Sequence, residues 1–290
     1  MPKKKKILIL GSASWLGSLM LSKLDPSKFD ISATYFNTFL NFNKPLDLIE
    51  AKLISDYGSF LKSIEPQIIV NFLRCDNEKD LKIHELIVDY CREIKSTHYI
   101  FCSSVLALDA YENNLLTESL TANSKSEYGI YKSKCEQMLY DEKFQYSILR
   151  FASLQGYCKH KIIRNEYLLR QLKIGEKIRV DQKVFQNRMC ADDAVDIMIK
   201  IIELKSAGII HLGTTDASDE IDFLRKQAVY YGYDSDRIMA KEYVRNANLN
   251  CIPNKIHEIY PESKHFNEAD TLKKIFEIEA YQKYRKQHEN

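Results

Sequence analysis

Glycine is scarce in this sequence: nine in 290 residues, about 3% where about 7% is usual, so the few positions that keep it are informative. Charge of one sign is lacking too. Lys and Arg number 42 against 40 Asp and Glu, a net charge of +2 that offers no field to recruit nucleic acid or an anionic membrane. The seven cysteines are scattered, odd in number and never spaced C-x-x-C, which reads as reduced, mostly buried thiols, not disulfide staples or zinc ligands. The seven histidines form no H-x-H or H-E-x-x-H, so no metal site is expected. No apolar run approaches the roughly 18 residues of a membrane span. The basic start Lys3–Lys6 leads straight into Ile7–Leu10 instead of a signal-peptide core, so a soluble, cytoplasmic protein is expected.

What is present is a rhythm. Short β-branched runs at Ile7–Leu10, Ile31–Phe36, Ile68–Leu73, Tyr99–Ser103 and Tyr146–Phe151 alternate with apolar residues at helical spacing. Those helical stretches are Leu16 to Leu24, Ile49 to Leu61 and Leu81 to Tyr90. Such alternation predicts βαβ units, hence an α/β fold of Rossmann type: a doubly wound parallel sheet with helices on both faces. Beyond Phe151 the rhythm loosens, with helices predicted at Arg164–Leu172, Asp192–Leu204, Glu220–Tyr231 and Ala269–Tyr284 and a strand at Ile209–Leu212. The expected division is a dinucleotide-binding domain over 1–153 and a smaller α/β substrate-binding part over 154–290, with about 187–212 returning to the first sheet. Ligands of such sheets bind outside the carboxyl ends of the strands.

Two of the glycines fall at that edge. Gly11-Ser-Ala-Ser-Trp-Leu-Gly17 joins the first strand to the first helix, where a dinucleotide fold needs a sharp turn whose amides meet a pyrophosphate. A P-loop is excluded, because Ser18 follows Gly17 where a Lys would stand. At the end of the second strand an acid would hydrogen-bond the ribose of NAD. The sequence instead has Asn37, with Lys44 downstream, which favours NADP while leaving NAD possible.

Tyr128 and Lys132 are four apart in a helical stretch and share one face. A cation beside a phenol favours the phenolate, and such a Tyr can exchange a proton with a carbonyl oxygen. Spacing alone is weak: chance gives about two Tyr-x-x-x-Lys pairs in a chain of this composition, and there are three, at 128/132, 157/161 and 260/264. The first stands out because Ser103-Ser104 closes a strand 24 residues earlier, so a hydroxyl reaches the same edge to polarise a substrate oxygen.

With these residues the chain resembles the extended short-chain dehydrogenase/reductase family. The resemblance covers about residues 6–232. It rests on the Gly11–Gly17 turn, Asp47-Leu48, Asn71 ending a strand, Ser103-Ser104, and Tyr128-x-x-x-Lys132 with Glu136. Leu149-Arg150, Val180-Asp181-Gln182, Arg188, Asp193-Ala194 and His211-Leu212 make it most similar to dTDP-4-dehydrorhamnose reductases and related nucleotide-sugar reductases and epimerases. The resemblance implies Ser104, Tyr128 and Lys132 as catalytic residues. It implies Gly11, Ser14, Trp15, Leu16, Gly17, Asn37, Asp47, Leu48, Asn71, Tyr128 and Lys132 as the cofactor site, with Lys132 on the nicotinamide ribose and Asp47-Leu48 on the adenine. Ser104, Asn165 and Arg188 would meet a nucleotide-sugar substrate. A homodimer is an open possibility.

Three departures are visible. Ser14 replaces the middle glycine of G-x-x-G-x-x-G and adds a hydroxyl that can donate to a phosphate. Phe72-Leu73-Arg74 replaces small residues and brings a cation. Val105-Leu106 after Ser104 supplies neither the acid nor the base that a 4,6-dehydratase needs. The expected activity is therefore NAD(P)-dependent reduction of a keto group on a nucleotide-activated sugar. The rivals are a nucleotide-sugar 4-epimerase with retained NAD and a non-catalytic NADP-binding regulatory subunit.

Overall fold

The computed structural model describes residues 3–111, 115–242 and 246–277. It divides into two compact units: Met1–Leu108 with Ser119–Phe151 and Val195–Ile210, and Asp109–Glu118 with Ala152–Ala194 and His211–Asn290. Residues 187–194, expected to return to the first sheet together with the strand near 209, lie in the second unit.

The first unit is built on strands β1 (Lys5–Leu10), β2 (Phe29–Tyr35), β3 (Asp47–Glu50), β4 (Ile68–Asn71), β5 (His98–Ser104) and β6 (Tyr146–Phe151). With the strand Gly208–Leu212 they form a seven-stranded sheet, which in space runs from that strand through β6, β5, β4, β1 and β2 to β3. β1 is parallel to β2 and to β4, with Ile7 opposite Ile31 on one side and Ile68 on the other. β2–β3, β4–β5 and β5–β6 are parallel as well. This is the doubly wound order, whose reversal beside β1 creates a crevice at the carboxyl edge. Central strands covered on both faces read as unbroken apolar runs, which is why Ile7–Leu10 and Ile68–Val70 were legible.

Helices α1 (Trp15–Lys23), α2 (Tyr57–Ile64), α3 (Glu78–Glu93) and α4 (Glu127–Gln137) connect the strands. Asp56 caps α2 by accepting from the amides of Gly58 and Ser59, and Asn77 caps α3 by accepting from Asp80. Ile87 and Val88 of α3 join Leu61, Leu8, Ile69, Tyr99, Phe101 and Ile148 in one buried cluster. Burying each such side chain stabilises by about 1.5–3 kcal/mol, so the strand ends are held on a rigid frame.

One expectation fails here. The apolar spacing from Ile49 to Leu61 predicts a helix, but Asp47–Glu50 forms β3, followed by one tight turn at Ala51–Leu53 and only then α2. β3 is a four-residue edge strand with β2 as its sole neighbour, so it lacks the run of apolar residues that marks a central strand.

The second unit holds three small sheets. Ser153–Gln155 pairs with Arg188–Cys190, Val184–Gln186 lies between Ser218–Asp219 and Ala247–Leu249, and Ile178–Val180 pairs with Ile238–Ala240. Leu168, Leu172, Phe223, Leu224, Ile238 and Ile275 form its core, drawn from helices Arg164–Lys173, Glu220–Tyr230 and Glu268–Glu277 and the strand Ile238–Ala240. The predicted continuation of the last helix to Tyr284 lies outside the described residues. All seven cysteines are buried free thiols. Among the described residues no helix is long and apolar enough to cross a membrane.

Candidate active site

The turn after β1 depends on its two glycines. Gly11 adopts a left-handed φ of 81°, which a side chain disfavours. A methyl group on Gly17 would overlap the carbonyl oxygen of Gly11, so the absence of a side chain is what lets α1 close on the strand end. Thr34 of β2 ties the turn down, its hydroxyl accepting from the Gly11 amide at 3.3 Å and its carbonyl from the Ser12 amide at 2.8 Å.

Ser14 needs no glycine geometry, since its φ of −69° and ψ of 160° are ordinary extended backbone. Its hydroxyl oxygen accepts from the Gly17 amide at 3.0 Å, making it the N-cap of α1. That fills one of the orphan donors of the helix start and leaves the hydroxyl proton available to an anion. The first-turn residues Trp15 and Leu16 complete a cradle that fits a pyrophosphate.

Asn71 ends β4 fully buried, so its expected contact with a cofactor is not what the structure gives it. Its Oδ1 accepts from the Leu73 amide at 2.9 Å and its Nδ2 donates to the Tyr99 hydroxyl at 2.9 Å. Tyr99 donates in turn to His84 Nδ1 at 2.8 Å, and His84 Nε2 donates to the Cys135 carbonyl at 3.0 Å. Burial pushes the His84 pKa down to about 3, so the ring is neutral and the chain runs in one direction. Asn71 thereby shapes the Phe72–Arg74 turn from behind. That turn links the two halves of the site: the Phe72 backbone packs 3.4 Å from where a Gly11 side chain would begin, and the Leu73 carbonyl receives the ammonium of Lys132 at 3.3 Å.

Lys132 is fully buried and donates also to the Cys102 carbonyl at 2.7 Å. Its Nζ lies 4.8 Å from the Phe101 ring centroid and 5.6 Å from that of Tyr128. Burial works against its charge, but Tyr128 and the Cys75, Cys135 and Cys102 thiols favour it, and its pKa is held above the ordinary lysine value. Tyr128 is half-buried, and the Arg74 guanidinium, paired with Asp76 at 2.5 Å, also faces its ring at 5.6 Å. Ser104, the last residue of β5, accepts from the Leu106 amide at 3.2 Å through its hydroxyl. Val105 and Leu106 form the following tight turn and bring no acid or base.

The placement of α4 explains how Tyr128 reaches that edge. Ser126 caps the helix, and Ser133 donates to the Ala107 carbonyl at 3.0 Å. Gly129 lies so close to the Leu106 carbonyl and Ser124 hydroxyl that any side chain would collide with both. Deeper in, Glu136 and Arg150, both fully buried, form a salt bridge at 2.7 Å. Ser103 donates to the same carboxylate at 2.5 Å and Tyr140 at 3.0 Å. This network locks α4 to β5 and β6, and it makes Arg150 a positioning residue. Sequence reasoning left its role open; an Arg inside the apolar run of β6 is the signal that a buried acid must face it.

The other residues expected near the cofactor lie on β3 and in the segment after β2. Asp47 and Leu48 open β3, with Asp47 opposite Ser32, about 10 Å along the strand from its carboxyl end. Asn37 is exposed two residues beyond β2. Lys44, the cation expected near a ribose phosphate, donates instead to the Ser22 and Leu24 carbonyls at 2.9 and 2.8 Å, at the C-terminal end of α1.

In the second unit Asn165 is buried, its amide donating to Gln155 at 3.1 Å and accepting from the Gly156 amide at 3.3 Å. Arg188 is equally buried, bridging Glu220 at 2.8 Å and Glu268 at 3.1 Å with its guanidinium 4.2 Å from the Phe223 ring. Both side chains hold loops of that unit together. For Arg188 to bind a phosphate it would have to leave two buried carboxylates, which would then keep only the more exposed Arg164 and Lys226 as partners.

No protein-family model matches the chain, and no curated protein matches it by sequence. Solved structures do. The Bordetella bronchiseptica enzyme WbmG in complex with NAD is similar at a TM-score of 0.80 and 16% identity, over 98% of this chain and 96% of that one. The dTDP-glucose 4,6-dehydratase of Bacillus anthracis in complex with NAD is similar at 0.79 and 12%, over 98% of each chain. The UDP-glucose 4-epimerase of Thermotoga maritima with UDP-glucose is similar at 0.78 and 16%, over 97% and 99%. At such identities the likeness shows that the chain has the fold of these enzymes.

Proposed function

We propose that the chain is a nicotinamide-dinucleotide-dependent enzyme of the extended short-chain dehydrogenase/reductase type, and that it reduces a keto group on a nucleotide-activated sugar. The observation that carries this reading is the buried ammonium of Lys132. It is fixed by the Cys102 and Leu73 carbonyls against Tyr128, and the Phe72–Leu73 segment that holds it also packs on the phosphate turn. Among solved structures of the same fold are proteins crystallised with NAD and with UDP-glucose, which supports both ligand classes.

A bound nicotinamide ring supplies or takes the hydride. Gly11, Ser14, Trp15, Leu16 and Gly17 hold the pyrophosphate at the start of α1. Tyr128 gives its proton to the substrate oxygen, and the Lys132 charge offsets the negative charge left on the phenol. Ser104 orients the same oxygen through its hydroxyl. Dehydration would need an acid and a base that Val105 and Leu106 do not offer.

A 4-epimerase is the second reading, favoured by the UDP-glucose 4-epimerase among the structural neighbours. The same residues would serve a hydride taken and returned to the other face. Incubation with NADH or NADPH and a panel of 4-keto nucleotide sugars distinguishes them: the reductase consumes dinucleotide one for one with product. Epimerisation by an enzyme purified with NAD, with no net consumption, selects the second reading.

A further inference from the structure

The end of β2 carries a feature that the expected cofactor residues do not use. Phe36 follows β2 directly and is 48% exposed, and two ammonium groups converge on its ring. Lys52 Nζ lies 5.0 Å from the ring centroid and Lys79 Nζ 4.8 Å. Lys52 comes from the turn after β3 and Lys79 from the first turn of α3, so three separate elements meet at this point.

The two charges are therefore within about 10 Å of each other, a Debye length at 0.1 M salt, and repel. Among the described residues neither has a carboxylate within 4.0 Å. Elsewhere in the unit Lys6, Lys28, Lys62 and Lys82 are paired with glutamates. The acids around Lys79 are engaged: Glu78 accepts from the Tyr131 hydroxyl, Asp76 pairs with Arg74, and Asp80 accepts from the Cys75 amide. Glu50, opposite Tyr35, is the remaining carboxylate at this edge. An exposed cation–π contact is weak, comparable with the entropy lost by ordering one lysine, so ring contact alone is a poor reason to gather two.

We propose that Lys52 and Lys79, converging on Phe36, form a phosphomonoester site that makes the chain select the 2′-phosphorylated nicotinamide dinucleotide. The inference rests on the dinucleotide reading given above. In a doubly wound sheet the adenosine ribose lies at the end of the second strand, where Phe36 stands. Tyr35 to Thr38 contains no acid to read a free ribose, and Lys44 is committed to α1. Two unpaired ammonium groups match a dianionic phosphate.

Isothermal titration of the full chain with NADPH, NADH, 2′,5′-ADP and 5′-ADP tests it. NADPH is expected to bind at least about tenfold more tightly than NADH at low salt, with the gap narrowing as KCl is added. Lys52→Gln and Lys79→Gln, both at exposed positions, are each expected to weaken NADPH and 2′,5′-ADP about fivefold to tenfold and leave NADH unchanged. NADH binding as tightly as NADPH would overturn the phosphate site while leaving the dinucleotide reading intact, with Glu50 the natural ribose partner. Equal weakening of both dinucleotides in the variants would overturn it too. Failure of every dinucleotide to bind would remove the underlying reading.

Discussion

A methyl group at position 129 would strike the Leu106 carbonyl, which makes Gly129 a sensitive reporter of how α4 reaches the strand ends. Ala normally stabilises a helix interior relative to Gly by about 0.5–1 kcal/mol. Gly129→Ala is expected to do the reverse, costing about 1–3 kcal/mol in urea unfolding and lowering activity as Tyr128 is pushed from its place. A variant as stable and active as the parent would show that the contact is not needed. At this scale the sequence was partly legible. Tyr128 and Lys132 could be found because helical spacing and a preceding Ser-Ser strand end are local signals. Lys44 misled, because a cation near the end of a strand in sequence was in fact satisfying the carbonyl end of α1. Asn71 was found at the right edge, yet its side chain serves the turn and the buried Tyr99–His84 chain.

The unit that positions the chemistry is α4 clamped on β5 and β6, and the clamp is ionic. Removing one member of a buried pair leaves an uncompensated charge, so Glu136→Gln or Arg150→Met is expected to cost about 3–5 kcal/mol in denaturant unfolding. The double replacement Glu136→Leu with Arg150→Met is expected to recover much of that stability, since no charge is then stranded. Single variants as stable as the parent would contradict a structural role for the pair. Burial and the Glu136 charge also push the Tyr140 pKa up to about 12, which keeps this member of the network a donor across the working range. Elements with strong periodicity were predictable: Tyr146–Phe151 and the helix at 164 to within a residue, and α3 to within three at each end. β3 was not, because four residues on a sheet edge bury too little to leave a pattern. The Glu136–Arg150 pairing was legible only as an oddity, an Arg in an apolar strand whose partner stands 14 residues earlier.

For the whole molecule, two buried neutral histidines set the acid limit. Burial lowers His84 to about 3, and burial with the Lys205 charge lowers His98 to about 4, both below the ordinary 6.5. Folding therefore keeps its full contribution from these groups above pH 6.5 and loses it as pH falls, because the unfolded chain binds protons that the folded one refuses. Unfolding free energy is expected to drop between pH 6.5 and 4 by up to about 1.4 kcal/mol per pH unit for each histidine. His98→Gln is expected to flatten that slope, and an unchanged slope would rule out His98 as a contributor. The parallel sheet with helices on both faces followed from strand–helix alternation and handedness, its strand order did not, and the three small sheets described in the second unit, with strands of two or three residues, gave no comparable signal.

The central claim is that a dinucleotide-binding sheet presents Tyr128, with the Lys132 ammonium behind it, to a keto group of a nucleotide sugar. The most direct measurement follows dinucleotide absorbance at 340 nm with a 4-keto nucleotide sugar, for the parent chain and for Tyr128→Phe, alongside calorimetric dinucleotide affinity for both. Loss of turnover by at least about a hundredfold, with affinity unchanged within about threefold, is the predicted result. A Tyr128→Phe chain that turns over as fast as the parent, or a parent that binds no nicotinamide dinucleotide, would contradict it.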